Sequence, residues 1–173
     1  AIIRAAESGA DVISLSLGGW FPQPPKVEVD AIKYAQSRGA IVVAATGNSD
    51  DDGREHAPSN IQGVIALAAI DRDNRKAEFS NTNAGLAQAI AAPGVDILSL
   101  KTGGGYVALS GTSMATPYVA GLLGVCRALR PDLTTEDAYA LLHQQGTTGP
   151  DADRVGRTIH AGAVIQNVQR LIK

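Results

Sequence analysis

The sequence has very few residues of several kinds, and each shortage excludes a class of protein. Its 173 residues include one cysteine, one methionine and one tryptophan, and aromatic residues make up 4% of the chain. A single cysteine excludes an internal disulfide framework. No apolar run reaches the roughly 20 residues that a membrane-spanning helix needs. The formal net charge of −2 provides no basic excess of the kind that binds nucleic acid or anionic membranes.

Aliphatic residues and glycine are abundant instead. Hydrophobic residues make up 45% of the chain, and glycine occurs 19 times. The apolar, β-rich runs at 11–17, 40–45 and 63–70 are predicted strands, and residues 26–38 between the first two form a predicted amphipathic helix. Apolar strands that alternate with helices predict an α/β fold with a mostly parallel sheet. A chain of this length has enough residues for one domain with a substantial core.

The stretch 109–117, with the sequence LSGTSMATP, places a serine where an extended run meets a long apolar helix. Thr112 is predicted to cap this helix, and Ser113 to occupy its first position. There the serine lies beside unpaired amide donors at the positive end of the helix dipole, which favours the growth of an oxyanion. The helix continues to about residue 130 and is apolar on nearly every face, so we expect it to be buried.

Two alternatives account for the same serine without this chemistry. Gly111-Thr112-Ser113, taken alone, also matches a helix cap with no catalytic role. A nucleophile elbow of the α/β-hydrolase kind requires a second glycine after the serine, with Asp and then His later in the chain. The sequence has neither that glycine nor a convincing Asp and His pair.

The longer pattern closely resembles subtilisin-like serine proteases. Residues 111–117, followed by Val-Ala-Gly at 119–121, resemble the nucleophile segment of that family. Ser-Leu-Gly-Gly at 16–19 resembles the strand edge that receives substrate, and VVAATGN at 42–48 resembles the oxyanion-hole segment. The resemblance implies a three-layer αβα fold. It also implies that residues 1–173 are one domain, the C-terminal portion of a subtilisin-like peptidase domain that is incomplete on its N-terminal side.

The resemblance also implies roles for individual residues. Ser113 would be the nucleophile, and the Asn48 side chain and the Ser113 backbone N–H would form the oxyanion hole. A carboxamide suits this task because it donates N–H to a developing oxyanion without a proton to lose. Substrate would lie along the chain as an added strand. The implied substrate-binding residues are Ser16 and Gly18 for backbone hydrogen bonds, Leu17 for a pocket wall and Gly47 for space in the pocket floor.

The general base is expected to lie outside this chain. In subtilisin-like proteases the order is Asp, His, Ser, and both partners precede the Ser-Leu-Gly-Gly segment. His56 lies in an acidic loop, and His143 and His160 follow the serine in scaffold segments, so each is expected to be a surface or structural histidine. A serine nucleophile needs a base, so we expect a serine endopeptidase whose isolated chain is inactive. The alternative is a non-catalytic module that keeps the peptide-binding groove.

The resemblance also implies a location and the partners of the chain. The resemblance implies a secreted protein that acts on peptides or proteins, without nucleic acid or membrane partners. The chain starts in helical register, without a signal peptide, and is expected to be cut from a longer one. The missing N-terminal part is therefore a predicted partner, and an uncovered sheet edge predicts self-association of the isolated chain.

No cofactor is expected to be required. Asp50-Asp51-Asp52 offers an alternative calcium site, but it lacks the ligand spacing of a known calcium loop, so a solvated acidic loop is preferred. Two further expectations come from the resemblance. Pro58 is expected to follow a cis peptide bond, and Tyr118 occupies a place where the family usually has histidine.

Overall fold

A five-stranded parallel sheet forms the centre of the protein, of which the computed structural model describes residues 1–171. A single 3-10 turn, Gly53–Glu55, precedes β4. The helices and strands follow one another in this order: α1 (Ile2–Glu7), β1 (Val12–Leu15), β2 (Gly19–Trp20), α2 (Lys26–Ser37), β3 (Ile41–Ala45), β4 (His56–Ala57), β5 (Ile65–Ile70), β6 (Ala89–Pro93), β7 (Ile97–Leu100), β8 (Tyr106–Leu109), α3 (Thr112–Leu129), α4 (Thr135–Gln145), α5 (Ala152–Val155), β9 (Arg157–Thr158) and α6 (Ala161–Leu171).

The strands of the central sheet lie in the order β1-β3-β5-β6-β9, and each neighbouring pair is parallel. β3 pairs with a strand on each side, and its residue Val43 lies opposite Ser14 of β1 and opposite Ile65 of β5. Two small antiparallel sheets, β2 with β4 and β7 with β8, stand apart from it. The predicted parallel sheet is confirmed.

Helices cover both faces of this sheet. Along β3, Ile41 and Val43 belong to the core beneath α3, α4 and α6, whereas Val42 and Ala44 belong to the core beneath α1 and α2. All four side chains are fully buried. Successive side chains of a strand point to opposite faces, so a continuous apolar strand is what a sheet covered on both sides requires. The expected three-layer α/β fold is therefore confirmed.

One boundary differs from the expectation. The first strand ends at Leu15, so the residues at 16–18 leave the sheet as irregular chain rather than as strand. Beyond α4 the chain forms α5 and β9, and β9 adds a strand beside β6. β9 is two residues long, and a strand of that length carries no periodicity that a sequence pattern reveals.

The expectation that α3 is buried all round is wrong. Val119 and Leu123 are completely buried, but Tyr118 and Val125 are about half exposed, at 46% and 50%. The helix packs against β1, β3, β5 and β6 along one side. It also packs against α6, but the face that carries Tyr118 and Val125 stays exposed, so the all-round apolar pattern does not correspond to all-round burial in this chain.

The edge strand β1 is uncovered in the same way. It pairs with β3 on one side only, and Ser14 in its middle is exposed. An edge strand presents unpaired backbone N–H and C=O groups that can pair with another chain. Self-association of the isolated chain therefore stays a prediction. No helix within residues 1–171 is both long and apolar enough to span a membrane.

The acidic run at 50–52 is held by cationic partners. Asp50 accepts a hydrogen bond of 2.6 Å from the ammonium of Lys76, whose side chain is 3% exposed, and Asp52 is paired with Arg54. In the described part of the chain, no three His, Cys, Asp or Glu side chains form a group that could hold a metal ion. The calcium alternative stays a prediction.

Replacing Asp50 with asparagine is expected to lower stability at neutral pH and to matter much less in acid. The hydrogen bond from Lys76, together with its positive charge, lowers the pKa of Asp50 below its ordinary value of 3.8. A carboxyl with a lowered folded-state pKa stabilises the fold fully above its unfolded pKa, and this contribution is lost as pH falls through the folded value. Urea-denaturation midpoints at about pH 7 and about pH 2.5 measure the difference.

The matched control is Asp30→Asn. Asp30 also pairs with a lysine at 2.6 Å, but that lysine, Lys26, is 84% exposed, and exposed pairs contribute little. We expect Asp30→Asn to leave the midpoint nearly unchanged at both pH values. An Asp50→Asn effect of the same size in acid as at neutral pH would contradict the ion-pair explanation.

Candidate active site

The six residues singled out in the sequence line one cavity of about 400 Å³. The cavity lies where β1 and β3 end, at Leu15 and Ala45. In open parallel sheets the carboxyl ends of the strands are the usual place for a ligand site. The six residues are Ser16, Leu17, Gly18, Gly47, Asn48 and Ser113.

Ser113 is the second residue of α3 rather than the first. Gly111 occupies the N-cap position and Thr112 opens the helix, so the expected positions of Thr112 and Ser113 are wrong by one. The reason is a long-range contact. The Asn48 side-chain oxygen accepts 2.9 Å hydrogen bonds from both the Thr112 backbone N–H and the Thr112 hydroxyl. Asn48, which follows β3, therefore performs the capping that the sequence pattern assigned to Thr112.

The same contact determines how the Asn48 carboxamide is oriented. Its oxygen faces two donors of Thr112, so the Nδ2 group is directed away and keeps its N–H donors. The Thr112 hydroxyl also accepts a 3.3 Å hydrogen bond from the Gly47 N–H, which joins the end of β3 to the start of α3. Ser113 lies within the first turn, so its backbone N–H has no intrahelical partner. Asn48 Nδ2 and the Ser113 backbone nitrogen both lie close to Gly111, at 3.5 Å and 3.6 Å from the position that a Cβ atom there would occupy.

Ser16 contacts the start of α3 directly. Its hydroxyl donates a 2.9 Å hydrogen bond to the backbone carbonyl of Ser113. The resemblance implies a role only for the Ser16 backbone, so this side-chain contact is visible only in the structure. It holds the end of β1 against the start of α3.

Close backbone contacts explain the glycines of the cavity. A Cβ atom at Gly18 would lie 2.6 Å from the carbonyl oxygen of Ala57 in β4. At Gly47, where φ is +109°, a Cβ atom would lie 2.5 Å from Asn81 Nδ2. Contacts this short leave no room for a side chain, so glycine at both positions keeps the cavity walls close to β4 and to Asn81.

Asn81 is a buried support that sequence reasoning missed. It is fully buried, its amide donates to the Thr46 carbonyl at 2.8 Å, and its oxygen accepts from the N–H groups of Ser49 and Asp51. It therefore holds both sides of the loop that carries Asn48. The signal that could have found it is the Phe-Ser-Asn segment at 79–81, which also resembles a segment of subtilisin-like proteases.

The three histidines differ in their exposure to solvent. His143 and His160 are exposed, as expected, but His56 is buried and lines the cavity with Ser113. Its Nε2 lies 3.3 Å from a carboxylate oxygen of Asp51. Within residues 1–171, no hydrogen bond joins the Ser113 hydroxyl to a histidine. The peptide bond before Pro58 is cis, as expected.

Comparison with known proteins identifies the family of this site. The model of the subtilase family matches residues 1–158. This chain belongs to the subtilase family. It is 47% identical over 122 residues to a thermophilic serine proteinase from Bacillus sp., a match that covers 70% of this chain and 29% of that protein. It is 41% identical over 127 residues to subtilisin BL from Lederbergia lenta, covering 73% of this chain and 45% of the relative.

Solved structures agree with this assignment. A protease from Pseudoalteromonas arctica superimposes with a TM-score of 0.88 at 29% identity, covering 96% of this chain and 57% of the protease. A cold-adapted subtilisin-like serine proteinase superimposes with a TM-score of 0.83 at 25% identity. The resemblance drawn from the motifs is thus confirmed. The subtilase chain described here spans less than half the length of the two sequence relatives named above.

Proposed function

We propose that this chain is the C-terminal portion of a peptidase domain and supplies the nucleophile and oxyanion hole of a serine endopeptidase. The observation that carries the proposal is the orientation of Asn48. Its oxygen is held by the N–H and the hydroxyl of Thr112. Its amide nitrogen and the Ser113 backbone nitrogen lie 3.5 Å and 3.6 Å from one point, the position of a Cβ atom built on Gly111. A carboxamide fixed in this way stabilises negative charge on a substrate oxygen more than it stabilises the neutral carbonyl.

The proposed reaction begins with attack of Ser113 Oγ on a peptide carbonyl carbon. The carbonyl oxygen becomes an oxyanion that accepts hydrogen bonds from Asn48 Nδ2 and the Ser113 N–H. Collapse of this intermediate breaks the C–N bond, the amine leaves with a proton, and the acyl group stays on Ser113. Water then attacks the acyl-enzyme through a second oxyanion in the same place and releases the acid. No cofactor takes part in these steps.

A base must take the proton of Ser113 and return it to the leaving amine. None of the described histidines makes a hydrogen bond to Ser113, and the relatives are longer than this chain. These facts support a base and an orienting carboxylate contributed from outside this chain, in a preceding part of the same domain. We expect the chain alone to be inactive.

The substrate proposed for the site is a peptide or protein segment in extended conformation. The backbone at Ser16 and Gly18 follows β1 and lies in the cavity with Ser113, so a peptide added beside it as a strand would bring its carbonyl to the nucleophile. Leu17, 57% exposed, would contact the side chain next to the scissile bond. Secretion remains a prediction, since a relative from Paenibacillus polymyxa at 41% identity is named an intracellular serine protease.

This chain has an uncovered surface on which the proposed preceding part of the domain would pack. β1 has an unpaired edge, and α3 exposes Tyr118 and Val125. An added strand would satisfy the backbone groups of the edge, and apolar side chains would cover the helix. This arrangement accounts for a helix that is apolar on nearly every face but uncovered on one.

Fluorophosphonate labelling tests the proposal. The chain alone, and the chain joined to the preceding segment of the Bacillus relative, are treated with the probe and analysed by intact mass and peptide mapping. We expect labelling of Ser113 in the joined protein only, and none after Ser113→Ala. Labelling of the chain alone would show that it contains its own base, and absence of labelling in both proteins would favour a peptide-binding module.

A further inference from the structure

Asn48 lies in irregular chain, outside the helices and strands that hold most of the backbone. β3 ends at Ala45, and the next element along the chain is the turn at Gly53–Glu55. The contacts with Thr112 hold the oxygen at the tip of the Asn48 side chain. They do not hold the backbone from which that side chain extends. The position of the carboxamide therefore depends on what binds the loop at 46–51.

Asn81 binds this loop on both sides of Asn48 through its side chain. The Asn81 oxygen accepts hydrogen bonds from the Ser49 N–H at 2.9 Å and from the Asp51 N–H at 3.0 Å. Its amide donates to the Thr46 carbonyl at 2.8 Å. The oxygen acts only as an acceptor and the nitrogen only as a donor, so these partners fix the orientation of the carboxamide. Asn81 is fully buried, so water competes little for these bonds.

Asn81 is in turn attached to the central sheet. The hydroxyl of Ser80, a fully buried residue, accepts a 3.0 Å hydrogen bond from the Ala69 N–H of β5 and donates to the Asn81 carbonyl at 3.0 Å. The Asn81 N–H donates to the Gly47 carbonyl at 2.9 Å. A line of hydrogen bonds therefore runs from the sheet through residues 80 and 81 to the chain next to Asn48.

We propose that Asn81 is a positioning residue of the oxyanion hole, because it places the backbone of Asn48 so that the Asn48 amide meets the developing oxyanion. Thr112 fixes the tip of the Asn48 side chain, and Asn81 fixes the loop from which that side chain extends. Asn81 acts through Asn48, since its own side-chain hydrogen bonds are directed at the loop. The assignment rests on the proposed function, because it deepens the description of the same oxyanion hole.

Preorganisation supplies the physical reason. Oxyanion-hole donors stabilise a transition state because they are already directed at the place where charge develops. A displacement of about 1 Å can lower a rate by about 10²-fold, even when the substituted residue is far from the reacting atoms. Without the Asn81 side chain, the carbonyl at 46 and the N–H groups at 49 and 51 lose a buried partner. Unpaired buried groups are unfavourable, so we expect the loop to move towards water and the Asn48 amide to move with it.

Asn81→Ala in the joined protein tests the assignment. We expect kcat to fall about 10- to 100-fold, a smaller loss than for Asn48→Ala, because the Asn48 amide is displaced rather than removed. KM should stay nearly unchanged, because Asn81 binds the loop rather than the residues at 16–18 that are proposed to hold substrate. In the Asn48→Ala background, the same substitution should lower kcat by less than about threefold.

Asn83→Ala is the matched control, because Asn83 is also a fully buried asparagine and lies close to Asn81 in the sequence. Its amide donates to the carbonyls of Ala66 in β5 and Ile90 in β6, at 3.3 Å and 3.1 Å, rather than to the loop that carries Asn48. Both alanine variants remove buried hydrogen bonds, so both should lower the urea midpoint. Asn83→Ala should nevertheless leave kcat within about twofold.

Hydrogen exchange in the unmodified joined protein tests the hydrogen bonds of Asn81 without any variant. The N–H groups of Ser49 and Asp51 should exchange slowly, because their shared acceptor on Asn81 is fully buried. NMR follows the two groups individually. Exchange of both at the rate of an unfolded peptide would show that Asn81 does not hold the loop, and it would overturn the assignment even if Asn81→Ala failed to fold.

The kinetic outcomes are equally decisive. An unchanged kcat in Asn81→Ala, an equal loss in Asn83→Ala, or a loss that persists in full in the Asn48→Ala background would overturn the positioning role while leaving Ser113 as the nucleophile. Absence of fluorophosphonate labelling at Ser113 in the unmodified joined protein would overturn the proposed function together with this assignment. The two failures are therefore distinguished by separate measurements.

Discussion

Replacing Ser113 with alanine is expected to lower kcat of the complete protease by about 10⁶-fold, the loss measured when the nucleophile is removed from a subtilisin. The reason is that alanine has no oxygen to form the acyl-enzyme, so hydrolysis is left to direct attack by water. The measurement is steady-state cleavage of a chromogenic peptide by the joined protein described above. Residual turnover should persist at a low level, because the donors of Asn48 and of the backbone at 113 are still present.

The control for this variant is Ser110→Ala. Ser110 is an exposed serine three residues upstream, and its hydroxyl accepts a hydrogen bond from the Asp96 N–H in the adjacent loop. Its removal should leave kcat within about twofold. A Ser113→Ala protein that still turns over with a normal acyl-enzyme burst would show that the nucleophile is a different residue.

Replacing Asn48 with alanine is expected to lower kcat by about 10² to 10³-fold with little change in KM, the loss measured for the equivalent kind of donor in a subtilisin. The carboxamide contributes chiefly after charge develops on the substrate oxygen, so its removal affects the transition state more than the bound substrate. Ser113 keeps its hydroxyl in this variant. Fluorophosphonate labelling should therefore slow without being abolished.

Thr112→Val tests whether the orientation of Asn48 matters as well as its presence. Valine keeps the branched shape but removes the hydroxyl that donates to the Asn48 oxygen at 2.9 Å, whereas the donation from the Thr112 N–H remains. We expect a loss of about tenfold in kcat. Most of this loss should disappear in the Asn48→Ala background, because the hydroxyl no longer has the Asn48 oxygen to orient, whereas the 3.3 Å hydrogen bond from the Gly47 N–H is lost in both backgrounds.

Thr116→Val is the matched control for that cycle. Thr116 is also fully buried, and its hydroxyl donates to the Thr112 carbonyl within the helix at 2.8 Å, without contacting Asn48. It should leave kcat nearly unchanged. Equal losses in the two threonine variants would mean that stability of the helix, rather than orientation of Asn48, accounts for the effect.

Local patterns in the sequence were enough to predict the layers of the fold and the family to which the chain belongs. Continuous apolar runs such as 40–45 indicate strands covered on both faces, because only such strands bury every side chain. The glycines that follow β1 and β3 indicated the end of the sheet at which the site lies. These signals are local or strictly periodic, and the family motifs combine them in order, so they are readable without coordinates.

The features that depend on contacts between residues distant in the sequence became visible only in the folded chain. Thr112 lost its expected capping role because Asn48, 64 residues away, supplies the accepting oxygen. His56 was expected to be structural or at the surface, but pairing of β4 with β2 places it in the cavity. A side chain's neighbours across a fold are set by packing and strand pairing rather than by local propensity. For that reason the place of Ser113 at the end of the sheet was predictable from the motifs, whereas the orientation of Asn48 and the environment of His56 required the structure.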